Sequence, residues 1–522
     1  MSTTIDVSGT PASAAASASA AARSRRGRWI DHWEPEDERF WEATGKRIAR
    51  KNLLWSVFAE HLGFCIWAIW AIVVINLVNV GITLSVPEQF WLTATPNLIG
   101  SALRIPYTFA LPRFGGRLWT LISAALLLIP TALLAFVVPS GWLADQSHST
   151  QMAILLACAA TAGVGGGNFS SSMANISFFY PDGKKGFALG LNAAGGNLGV
   201  ALTQLVVPLI IIVGVSGAAV KLPVHQVHLG YAGLLFMPFI ALAAFGAWRY
   251  MDSLTQARTD TTAYKQAIRQ PQTWIMSLLY IGTFGSFIGY SFALPLVIKN
   301  TFPEFLGQHP FIATYLAGLG FAGALVGSLA RPLGGLLSDR VGGARVTLVS
   351  FLGMGLCTLV AISGVNDHSF TTFFAAYMII FLLAGVGNGS TYRMIPAIFA
   401  ELGRRAADAE GGDAEKTKAI RLSFKRQTAA VIGIAGAVGA FGGFLIQVAF
   451  RQASLDVSAL IKAAKEPAEK AAIAHAHADW SVSALWVFVG AYAVFAVMTY
   501  VFYLRSSGAE SKVLPSLAHA KV

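Results

Sequence analysis

The chain has 522 residues, of which 55% are hydrophobic and only 12% charged, with a mean hydropathy of +0.59. A soluble globular domain carries about 25% charged residues, so this composition excludes one and indicates a protein of the lipid bilayer. The net charge of +12 would suggest nucleic acid in a soluble protein. Here the positive residues concentrate in alternate loops between apolar runs, so no nucleic acid is expected.

The chain opens on MSTTIDVSGTPASAAASASAAARSRRGR, which is small, polar and without an apolar core, so it reads as no cleavable signal peptide. Residues 1–50 are expected to be a cytoplasmic tail, partly disordered. Its basic cluster is either a topology signal or a contact with anionic membrane lipid. About twelve apolar runs follow, near 53–80, 89–112, 118–139, 151–179, 186–214, 229–250, 272–299, 311–337, 345–364, 370–400, 424–450 and 480–504. Each is long enough to cross roughly 30 Å of hydrocarbon as a helix. The expected fold is an all-α membrane protein, with an N-terminal six-helix bundle over 51–250 and a cytoplasmic linker over 251–271. A C-terminal bundle occupies 272–505 and a cytoplasmic tail 506–522.

Arg23, Arg25, Arg26, Arg28, Lys46, Arg47, Arg50 and Lys51 precede the first span. Arg113 and Arg117 follow the second, and Lys184 and Lys185 the fourth. Arg249, Arg258, Lys265 and Arg269 follow the sixth, and Arg340 and Arg345 the eighth. Arg404, Arg405, Lys416, Lys418, Arg421, Lys425 and Arg426 follow the tenth. The intervening short loops are nearly free of Lys and Arg, so the positive-inside rule puts both termini in the cytoplasm. The segment 451–479 fits least well: Asp456, Glu466 and Glu469 only partly offset Arg451, Lys462, Lys465 and Lys470. Cys65, Cys158 and Cys357 lie within spans without paired spacing and read as small buried residues. No metal or redox site is expected.

Two arginines interrupt the apolar runs. Arg104 lies in QFWLTATPNLIGSALRIPYTFALP and Arg331 in YLAGLGFAGALVGSLARPLGG, neither of which holds a carboxylate. A charge at that depth faces a polar cavity or a partner, or snorkels to the interface. Two guanidiniums without a counter-charge point to an anion site. The pattern also repeats. Arg104 is followed eleven and twelve residues later by Gly115 and Gly116, and Arg331 at the same distances by Gly342 and Gly343. GVGGGNFSSSM (163–173) matches GVGNGSTYRM (385–394), and GLNAAGGNLG (190–199) matches GIAGAVGAFGG (433–443). Two six-span repeats in parallel order place a substrate site at their interface, near the midplane.

GGLLSDRVGGAR (334–345) resembles the loop signature of the major facilitator superfamily, and LPRFGGRLWT is a degenerate first-half counterpart that lacks the aspartate. NFSSSMANISFFYP, KGFALGLNAAGGNLG and GIAGAVGAFGGFL resemble the nitrate-signature regions of the NarK-type nitrate/nitrite porters. WEPEDERFWEATGKRIARKNL, ALRIPYTF and WIMSLLYIGTFGSFIGYS are similar to the same family. The resemblance runs from about residue 29 to 505; the segment between spans ten and eleven adds nothing to it.

The resemblance implies an anion clamp at Arg104 and Arg331, a signature asparagine at Asn197 and a tyrosine at Tyr280. It implies phenylalanines at Phe64 and Phe169 that sandwich a flat substrate. It implies close, sliding packing of helices five and eleven at Gly190, Gly195, Gly196, Gly199, Gly433, Gly436, Gly439, Gly442 and Gly443. Cytoplasmic gate contacts are expected of Asp339 with Arg340 and Arg345. A planar guanidinium fork suits a flat oxyanion better than Lys does. Apart from the resemblance, Asn197 could simply bond a neighbouring helix, and Tyr280, Phe64 and Phe169 could be ordinary packing.

Glu60 and His61, early in span one, leave alternatives open. Glu60 pairs with a loop arginine, or the two residues carry a proton. Arg393 is either a counter-charge to Glu60 or a snorkelling residue. The expected activity is transport of nitrate, and of nitrite, across the bacterial inner membrane by alternating access, without chemical reaction or cofactor. Nitrate/proton symport and nitrate/nitrite antiport both fit. Other readings are a porter of another small anion such as formate, a membrane anion sensor, and a channel. Oligomeric state is not legible.

Overall fold

The structure, a computed structural model, describes residues 28–213, 227–257, 261–411 and 414–505. Arg23, Arg25, Arg26, Arg258 and the tail 506–522 therefore lie outside the described residues. Span one is Glu38–Val80, and spans two and three share the helical run Val86–Phe136. Span four is His148–Phe179, span five Asp182–Ile211, span six Tyr231–Tyr250 and span seven Pro271–Thr301. Span eight is Ala317–Val341, span nine Gly343–Asn366, span ten Phe370–Ala409, span eleven Ala414–Ala453 and span twelve Val482–Leu504.

These eleven helical runs hold twelve crossings. Gly115, with φ 76° and ψ 159°, breaks the run that spans two and three share. A continuous helix would place Tyr107 and Trp119 about 18 Å apart along its axis. Their ring centroids are 4.7 Å apart, so the chain turns back at Gly115. Gly342 stands at the matching place in the second half with φ 92°, between spans eight and nine. The repeated glycines thus supply the same left-handed turn twice, a conformation that costs glycine least.

Two expectations shift. Span eight begins at Ala317, not near residue 311, because Pro310–Tyr315 is a separate short helix. Ala317, Gly318 and Leu319 all have positive φ and redirect the chain there. The segment between spans ten and eleven is a helical hairpin that continues both spans. Each of those helices has 40 residues, or about 60 Å, twice the hydrocarbon thickness.

Residues 28–50, assigned above to a tail, are folded from Arg28 onward. Trp29–Ile30 pairs in parallel with Ser253–Leu254, just after span six. Ile30, Trp33 and Trp41 are buried with Phe179 and Leu254 in a small apolar cluster. Lys51 meets Asp252 at 2.9 Å, and Arg28 donates to the Arg249 carbonyl. This clasp ties residues 28–51 to the end of span six and the linker, on the face that carries the basic loops.

Span five packs on spans one and eight, and span eleven packs on spans two and seven. The packings of span five on span eight and of span eleven on span two join the two halves. Span seven is the most enclosed, with 94% of its apolar window buried.

Gly115 yields a test. A Cβ there would lie 2.6 Å from Ser253 Oγ and 2.7 Å from Trp29 Cη2, on a backbone that disfavours side chains. Gly115→Ala should destabilise the protein by ~1–3 kcal/mol, seen as a lower melting temperature in detergent. Gly335→Ala, where a Cβ meets nothing within 4 Å, should not. Equal melting temperatures for the two variants would contradict the turn.

Candidate substrate site between the halves

Arg104 of span two is 0% exposed and Arg331 of span eight 6%. Arg104 Nε donates to Gly166 O at 2.9 Å and Nη1 to Gly436 O at 2.6 Å, while Nη2 has no partner. The Gly436 bond crosses from the N-terminal to the C-terminal half. Arg331 Nη2 donates to Tyr280 OH at 3.3 Å, and Nη1 has no partner. Neither arginine forms an ion pair with a carboxylate among the described residues. Each is held by neutral acceptors, with at least one guanidinium nitrogen left over.

Phe169 joins them. Its ring lies 4.8 Å from Arg104 Cζ and 5.7 Å from Arg331 Cζ. Phe64 meets Phe169 edge-on at 5.9 Å. Tyr280 stacks with Phe284 at 5.3 Å, and Phe284 with Phe169 at 5.9 Å. Asn197 is 0% exposed and neither atom of its amide has a partner. Gln204, seven residues on and so on the same face of span five, donates to Ser291 O of span seven. That face is turned toward the cleft between the halves. The structure therefore brings Arg104, Arg331, Tyr280, Phe64 and Phe169 together and turns Asn197 toward the same cleft.

Glu60 is 0% exposed and pairs with no loop arginine among the described residues. Its Oε2 accepts from Asn168 Nδ2 at 3.3 Å, and its Oε1 has no partner. Arg104 lies within electrostatic reach. His61 Nδ1 meets Gly195 O at 2.8 Å.

The glycine signatures do not face each other as expected. Those of span five face span one: a Cβ on Gly195 would meet Val57, and one on Gly196 would sit 3.0 Å from Glu60 Cγ. A Cβ on Gly199 would meet the His61 carbonyl. Those of span eleven face spans two, four and seven. A Cβ on Gly436 would lie 3.3 Å from Ser170 Oγ, one on Gly442 2.9 Å from Gly285 Cα, and one on Gly443 2.8 Å from Asn97 Oδ1. A Cβ on Gly439 would run into the Tyr280 ring. Gly433 has looser neighbours, the nearest Thr108 Oγ1 at 3.5 Å, and Gly190 has none within 4 Å. Gly190 is therefore not a packing glycine here.

On the basic face, Asp339 pairs with Arg393 at 2.7 Å, with both side chains about half exposed. That settles Arg393, which neither answers Glu60 nor stands alone. Arg340 and Arg345 are exposed. Lys425 meets Asp182 at 2.5 Å across the halves. On the opposite face Lys299 Nζ donates to Ile75 O at 2.7 Å, also across the halves.

Trp67, Phe284 and Tyr392 escaped the sequence reading. Trp67 and Phe284 lie 5.4 and 5.1 Å from Arg104 Cζ, and Tyr392 5.5 Å from Arg331 Cζ. Gln204 and Gln447 are matched by the offset that carries Gly190 onto Gly433. Gln447 donates to Gly289 O and accepts from Thr93 of the other half.

Two six-helix halves closing on a buried polar site define a membrane carrier. Residues 57–412 match the family model described as the Major Facilitator Superfamily. The nitrate/nitrite transporter NarU of Escherichia coli is 38% identical over 427 residues, 80% of this chain and 88% of its own. The probable nitrate/nitrite antiporter NarK2 of Thermus thermophilus is 37% identical, over 81% of this chain and 89% of its own. Among solved structures, a D-xylose-proton symporter matches with a TM-score of 0.58 at 16% identity, covering 87% of this chain and 97% of its own. The chain belongs to the NarK-type nitrate/nitrite porter family of the major facilitator superfamily.

The tight glycine at 439 can be tested by Gly439→Ala, which pushes on Tyr280 and through it on Arg331. Overpacking of this kind costs ~1–3 kcal/mol, so anion affinity should fall about tenfold or more. Gly190→Ala should leave it unchanged. Titration of the purified protein with nitrate checks both, and wild-type affinity in Gly439→Ala would refute the contact's importance.

Proposed function

We propose that this protein carries nitrate and nitrite across the bacterial cytoplasmic membrane by alternating access, with its basic face and both termini in the cytoplasm. It performs no chemical reaction. One observation carries the reading. Two guanidiniums, one from each half, flank one aromatic ring, and each has an unused N–H group and no carboxylate partner. A flat monovalent anion meets the needs of both. Its oxygens accept from the free Nη atoms, and its charge offsets two like charges that otherwise repel in a medium of low dielectric. Tyr280 orients Arg331, Asn197 supplies a further donor, and Phe64 and Phe169 confine the plane of the ion.

The clamp needs both forks. Charge-assisted hydrogen bonds contribute ~1.5–3 kcal/mol each. Arg104→Lys or Arg331→Lys should therefore lower nitrate uptake into proteoliposomes about tenfold to a hundredfold. Near wild-type uptake in either variant would sink the reading.

Glu60 supports a second reading, proton-coupled entry of nitrate beside nitrate/nitrite exchange. Its buried carboxylate has one oxygen without a partner and lies within reach of Arg104. A proton on Glu60 leaves Arg104 to the anion, so proton and anion bind together. Nitrate should then accumulate in vesicles that contain no anion substrate when the outside is made acidic. Glu60→Gln should lose that accumulation and keep exchange against internal nitrite. Wild-type vesicles that accumulate nothing without internal nitrite would leave exchange as the mechanism.

A further inference from the structure

Asn388 of span ten is 0% exposed, and neither its amide nitrogen nor its amide oxygen has a hydrogen-bond partner. An amide that serves only to hold helices together in a membrane bonds to its neighbours, and a buried one left alone is destabilising. Its position is fixed by the glycines around it. A Cβ on Gly387 would lie 2.8 Å from the Thr283 methyl of span seven. A Cβ on Gly389 would meet the Arg331 carbonyl, and one on Gly385 would meet Gly327, both on span eight. A helix turns about 100° per residue, so residue 388 points into the wedge between spans seven and eight. Tyr392 lies one turn along on the same side. Its ring is 5.5 Å from Arg331 Cζ and 6.3 Å from Tyr280, and its hydroxyl also has no partner.

The repeat gives an independent argument. The offset that carries Gly190 onto Gly433 carries Asn197 onto Ala440, so span eleven offers no amide where span five does. The offset that carries Gly163 onto Gly385 carries Gly166 onto Asn388. In the N-terminal half that place supplies a carbonyl, which already accepts from Arg104 Nε. In the C-terminal half it supplies an unpartnered amide beside Arg331. We propose that Asn388 is a further substrate-binding residue, donating its amide to an oxygen of the anion from the C-terminal half. It complements Asn197 from a position that is not symmetric with it. This rests on the reading of Arg104 and Arg331 as the anion clamp.

The test is thermal unfolding of the purified full-length protein across a nitrate titration. Asn388→Leu keeps the branching and the number of heavy atoms and removes the donor. Its melting temperature without nitrate should equal or exceed that of the wild type, since an unpartnered amide is gone. The nitrate concentration giving half-maximal stabilisation should rise about tenfold or more. Asn388→Asp keeps the shape and tests the same point without a change in packing. Its nitrate-induced stabilisation should weaken more steeply with rising pH than in the wild type, because an ionised carboxylate repels the anion. Nitrate stabilisation within about twofold of wild type in both variants overturns the inference. So does a lowered melting temperature in Asn388→Leu with nitrate stabilisation intact, which would make Asn388 a packing residue. A wild-type protein that nitrate does not stabilise overturns the clamp, and this inference with it.

Discussion

The structure depends on keeping two positive charges out of water without giving either a negative partner. Isolated charges in such surroundings are expensive, and here the expense is met by neutral acceptors. Arg104 is held by the carbonyls of Gly166 and Gly436, and Arg331 by the Tyr280 hydroxyl. A helix carbonyl reaches a side chain from a neighbouring helix only where that neighbour comes close. This explains why glycine stands at 166 and 436. A Cβ at 166 would lie 2.5 Å from Trp67 Cε2, and one at 436 only 3.3 Å from Ser170 Oγ. The glycine signatures are thus part of the charge site as well as of the packing. They let backbone dipoles approach the Arg104 guanidinium while leaving its Nη2 unused.

The duplicated frame was readable from the residues because glycine and arginine are unusual where they occur. Gly115 and Gly342 stand at the same distance after Arg104 and Arg331, and both adopt positive φ. What those residues touch was less legible. Phe284 and Tyr392 lie within membrane spans, where an aromatic residue looks the same whether it packs against lipid, a helix or a guanidinium. The partner of Asp339 could not be read either. Arg340 adjoins it and Arg345 lies six residues on, but Arg393, from a different span, makes the pair. The clasp at 28–50 was concealed by its composition. Its charged residues face outward, whereas Ile30, Trp33 and Trp41, spaced too irregularly for a helix or strand pattern, carry the burial.

Contacts between the halves differ in kind on the two faces. On the basic face, Lys425 and Asp182 form an exposed pair, and such pairs contribute about 0–1 kcal/mol. On the opposite face, Lys299 caps the Ile75 carbonyl while mostly buried, and aromatic packing of Trp67 on Phe292 at 5.4 Å lies on the same side of the site. Between them sits the Arg104–Gly436 hydrogen bond, which also spans the halves. The exposed pair alone is too weak to set the conformational equilibrium. The site must contribute, which is the condition for substrate to control the motion.

The charge balance explains how it would do so. When the site is empty, closing the halves brings two like charges into a medium of low dielectric around one ring, and repulsion opposes closure. A bound anion removes most of that repulsion, so the loaded carrier closes more readily than the empty one. A carrier with this property alone returns only with another anion aboard, which is exchange. On the proton-coupled reading proposed above, Glu60 alters the balance. Ionised, it gives Arg104 a counter-charge when no substrate is present, and the empty carrier can then close and return. Protonated, it withdraws that counter-charge and leaves the place to the anion. On that reading one carboxylate, buried against Gly196 on the same helix face as Phe64, would govern whether the return stroke requires a second anion or only the loss of a proton.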